Sequence, residues 1–145
     1  MPTLYYAAPL FTEAERAWNA MNAARIRERF PASTVALPQE FCAAFDKHPG
    51  KPDFAGIYRT CIEELGRADA ALCIIDGPDA DSGTSFEAGY ALARGIPVVS
   101  LRTDWRPAED GAGNCMLVRS SVAVCRTLDQ ALEALARYLG GAVTR

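Results

Sequence analysis

The feature that most constrains the fold is a run of mostly apolar residues at positions 68–76, ADAALCIID, which is followed by Gly77 and Pro78. A continuous apolar run of this length, bounded by turn residues, is typical of a strand buried on both faces of a parallel sheet. Parallel strands need crossover connections, which are usually helices. The run therefore predicts an α/β fold.

The segments on either side of this run alternate between β-prone runs and helical patterns. Further strands are predicted at 3–8, 33–38, 96–101 and 122–125. Helices are predicted at 12–30, 53–67, 85–94 and 128–139, with a loop at 39–52 that has room for one helical turn and a polar loop at 102–113. Short connections between alternating elements predict a doubly wound sheet of about five parallel strands with helices on both faces. At 145 residues, half of them apolar, the chain is predicted to form a single domain, 1–145.

Two details of these helices are specific enough to test. In the first helix, Ala14, Trp18, Met21 and Ile26 lie near helical spacing, which predicts that they face the core. Gly95 is predicted to follow the end of the third helix, where a left-handed backbone is common.

Composition and charge exclude several classes of function. The net charge is -3, the pI is near 5.2 and no cluster of Lys and Arg occurs, which argues against a nucleic-acid partner. No apolar run approaches the roughly 20 residues of a membrane span, and the first residues lack the basic start of a signal peptide. We therefore expect a soluble, cytoplasmic protein.

Cysteine, histidine and glycine patterns give no sign of a metal or a cofactor. The five cysteines form no C-x-x-C pair, which favours reduced thiols. His48, the only histidine, lies in a polar loop without cysteines at ligand spacing, so neither a zinc site nor a histidine base is expected. Neither G-x-x-x-x-G-K-[ST] nor G-x-G-x-x-G occurs, and we expect no cofactor.

The segment DADSGTSFEAGY, residues 79–90, follows the predicted central strand at its carboxyl end, where ligands bind in doubly wound folds. Thr84 and Glu87 fit a capping box, in which each side chain accepts from a backbone amide at the start of a helix. The same spacing occurs at Thr12 and Thr127. Spacing alone therefore leaves open whether Glu87 caps a helix or does chemistry.

Asp81 and Gly83 favour chemistry in this segment. Gly83 permits close approach of a ligand, and Asp81 places a second carboxylate on the same loop. One carboxylate could act ionised as a nucleophile and the other protonated as an acid. A helix N-terminus is expected to keep Glu87 ionised. Paired carboxylates suit cleavage of a glycosidic bond through an oxocarbenium-like transition state, whereas Ser82 lacks a histidine to activate it.

Three stretches of the sequence resemble the nucleoside 2-deoxyribosyltransferase family. They are YYAAPLF at 5–11, ADAALCIIDGPDADSGTSFEAGYALARGIPVV at 68–99 and GNCMLV at 113–118. The resemblance implies a flavodoxin-like fold and a ping-pong transfer of 2-deoxyribose between nucleobases. Nucleosides and nucleobases are then the small-molecule partners.

The resemblance also implies roles for individual residues. Glu87 matches the nucleophile, Asp81 the acid that helps to protonate the departing base, and Tyr5 the tyrosine that orients the nucleophile. Strand alternation lets only one of Tyr5 and its neighbour Tyr6 point into the site. Gly83 and Thr84 match substrate-binding positions of the same motif.

Two further matches imply an oligomer. Asn114 and Met116 match residues that a neighbouring subunit supplies to hold the 5′-hydroxyl end of the sugar. The site is then composite and the protein a homo-oligomer. Many relatives carry Asp or Asn in the helix before the central strand, where this chain has Cys61 with Arg59 nearby.

Two other functions remain open from the sequence. The first is hydrolysis of the N-glycosidic bond in nucleoside 5′-monophosphates, although the loop AAPLF at 7–11 offers no side-chain donors for a phosphate. Arg119, Ser120 and Ser121 are the alternative phosphate ligands. The second is a non-catalytic nucleoside-binding domain, against which two carboxylates that must be desolvated argue.

Overall fold

The computed structural model describes residues 1–45 and 52–140. Its centre is a sheet of five strands: β1 Thr3–Ala7, β2 Thr34–Ala36, β3 Ala70–Ile74, β4 Val98–Leu101 and β5 Ala123–Cys125. The strand order is β2-β1-β3-β4-β5 and every neighbouring pair is parallel. This is the flavodoxin-like order, and it confirms the predicted α/β fold with the apolar run at its centre.

Helices cover both faces of the sheet. They are α1 Glu13–Arg29, α2 Pro38–Phe41, α3 Phe54–Gly66, α4 Ser82–Ala93, α5 Cys115–Ser120 and α6 Leu128–Leu139, with a 3-10 helix at Cys42–Phe45. One face packs against α1 and α6, and the other against α3, α4 and α5. Among the helices of the described residues, none combines the length and the apolar character needed to cross a lipid bilayer.

The alternation of side chains along β1 separates two neighbouring tyrosines. Both are fully buried, but Tyr6 lies in the core under α1 and α6, whereas Tyr5 lies in the core under α3, α4 and α5. The Tyr6 hydroxyl accepts a hydrogen bond from Asn22 Nδ2 at 3.1 Å. Only Tyr5 is therefore on the face that α4 covers.

The predicted inner face of α1 is partly wrong. Ile26 is buried and Trp18 packs against the core, but Ala14 is exposed and the exposed fraction of Met21 is 52%. The buried positions instead include Asn19 and Asn22. Their amides are satisfied by Pro9 O, Gln39 Oε1 and the Tyr6 hydroxyl, which removes the cost of burying them.

Short helices account for most of the remaining differences. Helices Pro38–Phe41 and Cys42–Phe45 replace the end of the predicted strand 33–38 and the start of the segment 39–52, which was predicted as a loop with one helical turn. Helix α5 was not predicted because six residues are too few for a periodic pattern. Gly95 has a φ of +73° and directly follows Arg94, the C-cap of α4, as predicted. His48 lies outside the described residues.

Candidate active site

The carboxyl ends of β1 and β3 meet the first turns of α4, and the two predicted carboxylates lie there. Helix α4 begins at Ser82 and its N-cap is Asp81. Asp81 Oδ2 accepts from the backbone amide of Thr84 at 2.8 Å and from the Thr84 hydroxyl at 3.1 Å. The predicted capping box with Thr84 at the N-cap is therefore wrong.

Asp81 rather than Thr84 is the N-cap of α4, and Thr84 is buried within the first turn of the helix. Thr84 has an exposed fraction of 1%, and its buried hydroxyl donates to the Asp81 carboxylate. Gly83 lies in the first turn, where a Cβ would come to 3.1 Å from Asp81 Oδ2. Thr84 and Gly83 thus fit the shape of the loop around Asp81.

Glu87 lies in the second turn of α4, away from the free amides of the helix start. Its Oε1 accepts a hydrogen bond of 2.6 Å from the hydroxyl of Tyr5, which is 82 positions away in the chain. Glu87 is therefore not a cap. The structure brings Tyr5, Asp81 and Glu87 together, as the sequence predicted.

The protonation of Glu87 differs from the expectation. Burial raises its pKa to about 7; the hydrogen bond from Tyr5 works in the opposite direction, and the negative charge of Asp81 raises the pKa further. The expectation that the helix N-terminus keeps this carboxyl fully ionised is wrong. Near neutral pH Glu87 exchanges between its protonated and ionised forms.

Tyr5 acts as a neutral hydrogen-bond donor in this arrangement. Burial, and then the charge of Glu87, raise the pKa of its phenol far above the usual range. The hydroxyl thus keeps its proton and holds one oxygen of Glu87. The second carboxylate oxygen has no hydrogen bond from the residues that the structure describes.

Two thiols, Cys61 and Cys42, lie beside the carboxylate site; the sequence pointed to Cys61 only as the residue at the position where many relatives carry Asp or Asn, and it did not point to Cys42. Cys61 of α3 lies near the Tyr5 hydroxyl: it raises the pKa of Tyr5, and Tyr5 lowers the pKa of Cys61. The Sγ atom of Cys42 lies 3.8 Å from that of Cys61, and the ring of Phe41 lies 6.5 Å from the ring of Tyr5. Cys61 could be found from the sequence only by its distance from the central strand.

Asn114 and Met116 lie at the start of α5, later in the chain than the loop that carries Asp81. Asn114 is the N-cap of α5, accepts from the Met116 amide at 2.9 Å, and donates to Glu109 at 3.2 Å. Met116 has an exposed fraction of 75%. Within residues 1–45 and 52–140, no hydrogen bond joins either residue to Tyr5, Asp81 or Glu87. Their action in a neighbouring subunit stays a prediction.

Arg102, at the end of β4, braces the loop that carries Asp81. Its exposed fraction is 2%, and it donates to the carbonyl oxygens of Ile75 at 3.1 Å and Gly77 at 2.9 Å. Asp76 accepts in return from the amides of Thr103 and Asp104. The loops after β3 and β4 are thus fastened to each other, which no sequence pattern indicated.

The side chains suggested as phosphate ligands already have partners. Arg119 forms an ion pair of 2.6 Å with Asp110. The Ser120 and Ser121 hydroxyls lie within hydrogen-bond distance of Leu117 O, and the Ser121 hydroxyl also lies 2.8 Å from that of Ser100. This arrangement does not favour a phosphate site at these residues.

We predict that Tyr5→Phe raises the pKa of Glu87 above its value in the unmodified protein. The variant removes the hydrogen bond that lowers this pKa, while burial and the charge of Asp81 remain. Titration of the Glu87 side-chain carboxyl by carbon NMR measures the change. Tyr6→Phe on the opposite face is the control and should leave that pKa unchanged; an unshifted value in Tyr5→Phe would contradict the assignment.

Comparisons with known proteins match the chain over most of its length. The family model for nucleoside 2-deoxyribosyltransferase matches residues 4–133. A conserved protein from Enterococcus faecalis V583 is 29% identical in sequence; the match covers 94% of this chain and 98% of that one, with a TM-score of 0.82. No curated protein matches the sequence significantly.

Two more distant structures share the fold. The 2-deoxyribosyltransferase from Bacillus psychrosaccharolyticus is 21% identical, with 90% of both chains covered and a TM-score of 0.72. The CMP N-glycosidase from Clostridium botulinum is 15% identical, with 94% of this chain and 99% of that chain covered and a TM-score of 0.59. Identities this low establish the common fold alone.

Proposed function

The chain belongs to the nucleoside 2-deoxyribosyltransferase family, and we propose that it transfers 2-deoxyribose from one nucleobase to another through a covalent ester on Glu87. The family indicates an enzyme that transfers glycosyl groups or cleaves glycosidic bonds. The observation that carries the finer proposal is the 2.6 Å hydrogen bond from Tyr5 to Glu87, with Asp81 at the start of the same helix.

In the first step, ionised Glu87 attacks the anomeric carbon of a 2′-deoxyribonucleoside. Tyr5 holds one carboxylate oxygen and leaves the other to form the new carbon–oxygen bond. The glycosidic bond to the base breaks, and the departing base takes a proton from Asp81, which holds the one proton of the Asp81–Glu87 pair when Glu87 is the ionised partner. Burial of Glu87 favours this step because a poorly solvated carboxylate loses little hydration when it attacks.

In the second step, an acceptor base attacks the same carbon and the ester to Glu87 breaks. Asp81, now ionised, accepts the proton that the acceptor loses. Two inversions give net retention of configuration, as in retaining glycosidases. The pKa of about 7 implies that the ionised, active form of Glu87 increases as the pH rises through neutrality.

The proposal is tested with 2′-deoxyinosine, with and without adenine, and chromatography of the products. We expect 2′-deoxyadenosine together with hypoxanthine when adenine is present. Hypoxanthine release that does not depend on adenine and yields no 2′-deoxyadenosine would contradict transfer and support hydrolysis. Tight binding of 2′-deoxyinosine without turnover, unchanged in Glu87→Ala, would support a non-catalytic binding domain.

Hydrolysis of nucleoside 5′-monophosphates is the alternative reaction, and the shared fold with a CMP N-glycosidase is the observation in its favour. Against it, the loop at 7–11 carries no side-chain donors, and Arg119 is paired with Asp110. Comparison of 2′-deoxyadenosine with its 5′-monophosphate as substrates distinguishes the two. Exclusive use of the monophosphate would contradict the transferase proposal.

A further inference from the structure

Cys42 and Cys61 form a pair of thiols beside the carboxylate site. Cys42 begins the 3-10 helix and Cys61 lies in α3, and their Sγ atoms are 3.8 Å apart. Both residues are partly exposed, whereas Cys73 and Cys125 are buried in the core. The pair therefore combines mutual proximity with access from solvent.

The backbone around the pair holds the two helices close to each other. A Cβ on Gly56 of α3 would lie 2.7 Å from two carbons of the Phe45 ring, so this ring packs directly on the helix backbone. Asp53, the N-cap of α3, donates its amide to Phe45 O at 3.3 Å. Closing a disulfide of about 2.05 Å needs the sulfurs to approach by roughly 1.8 Å, a distance that side-chain rotation with small backbone shifts can supply.

We propose that Cys42 and Cys61 are a reversible oxidation site that closes to a disulfide and slows turnover at Tyr5 and Glu87. Hydrogen peroxide is the oxidant that balances the step. Each thiol loses its hydrogen, an Sγ–Sγ bond forms, and the oxygen–oxygen bond of the peroxide breaks to give two water molecules. A dithiol reductant reverses the reaction by thiol–disulfide exchange.

Formation of the disulfide is expected to affect the site because each of the two cysteines adjoins a residue that lies next to, or is, Tyr5. The Cys61 thiol is near enough to Tyr5 to change the pKa of its hydroxyl, and that hydroxyl donates to Glu87. Cys42 follows Phe41, whose ring packs near the ring of Tyr5. A bridge moves the Cys61 sulfur and so changes its packing beside Tyr5, and shifts near 1 Å at a reacting carboxylate can lower rates up to about a hundredfold.

Burial of the two thiols is expected to slow the formation of the disulfide. It raises the pKa of Cys42 to about 12 and that of Cys61 above its usual value, so few thiolates are present near neutral pH. We therefore expect closure over minutes to hours under sustained oxidant. The measurement must follow the reaction to its end point.

The test exposes the reduced full-length protein to hydrogen peroxide and maps its peptides without reduction. We expect a Cys42–Cys61 crosslinked peptide, the loss of two hydrogen atoms from the intact mass, and about ten- to hundredfold slower turnover that dithiothreitol restores. Cys115→Ser, which leaves the pair intact, should respond in the same way. Cys42→Ser, with Cys42→Ala as a second variant, should turn over normally and lose the response.

The effect of the disulfide on turnover rests on the proposed transferase activity, and the experiment tests the two separately. A map in which Cys42 and Cys61 stay free or are oxidised separately would overturn the pair. A crosslink without slower turnover, or equal inactivation of Cys42→Ser, would overturn its effect on the site. Failure of the reduced protein to use deoxynucleosides would contradict the transferase proposal, and the peptide map would still decide on the disulfide.

Discussion

Replacing Glu87 with glutamine is expected to lower the rate of deoxyribosyl transfer by at least about a thousandfold while the fold is retained. The amide oxygen of glutamine can still accept the hydrogen bond from Tyr5, but a neutral amide cannot form the sugar ester. Production of 2′-deoxyadenosine from 2′-deoxyinosine and adenine measures the loss. Circular dichroism and thermal unfolding measure whether the fold persists.

The same variant gives a second, independent measurement through its stability. The pKa of Glu87 rises from 4.5 to about 7 on folding, so ionisation above that range costs the folded state free energy. Glu87→Gln should match the unmodified protein below about pH 4.5 and be more stable above about pH 7. We expect a gain of about 1 to 3 kcal/mol in the free energy of unfolding at pH 8. Equal stability at both pH values would contradict the burial of this carboxylate.

Replacing Asp81 separates its two roles, because the residue both caps α4 and is proposed to move a proton. Asp81→Ala removes the acceptor for the amide and hydroxyl of Thr84, which should cost about 1 to 3 kcal/mol of stability. It should also lower turnover by roughly a hundredfold or more. Urea unfolding and the deoxyribosyl-transfer assay measure the two effects.

Asp81→Asn is the matched control for the cap. Its side-chain oxygen can accept from Thr84, so the stability should stay close to that of the unmodified protein. Turnover should fall as in Asp81→Ala because the amide cannot supply or accept the proton. A fully active Asp81→Asn would show that the cap, and not the acid, is what the reaction needs.

The fold could be predicted from the sequence because its signals are local. The apolar run of β3 indicated the fold class, and the alternation of elements indicated parallel strands; the flavodoxin-like arrangement was implied by the family resemblance. The start of α4 could not be placed, since Asp81 and Thr84 are three positions apart and both are good caps. Burial of Thr84 decided between them, and burial depends on the tertiary structure.

The inner face of α1 was misjudged for a related reason. A prediction from hydrophobic spacing places asparagine on the exposed face of a helix. Asn22 is nevertheless buried, and its side-chain amide donates a hydrogen bond to the Tyr6 hydroxyl. Such a pair is visible only when two elements meet. The apolar side chain of Met21 is correspondingly left outside.

The carboxylates of the site could be predicted and their environment could not. Asp81 and Glu87 lie close together in the sequence, at the start of one helix. Because side chains alternate between the two faces of a strand, only one of Tyr5 and Tyr6 could lie near them. The pKa of about 7 and the nearby Cys61 depend on how α3 and β1 pack around the carboxyl. Sequence spacing contains no information about desolvation.

The brace formed by Arg102 has a consequence for how such a site diversifies. One buried guanidinium joins the backbone after β3 to the segment after β4, and its Nη2 also donates to Arg106 O. We therefore expect a change of length in the exposed part of the segment after β4 to shift, through Arg102, the loop that carries Asp81, with the strands and both carboxylates unchanged. Changes of this kind are where we expect the shape of the proposed site to be altered most easily by evolution or by protein engineering.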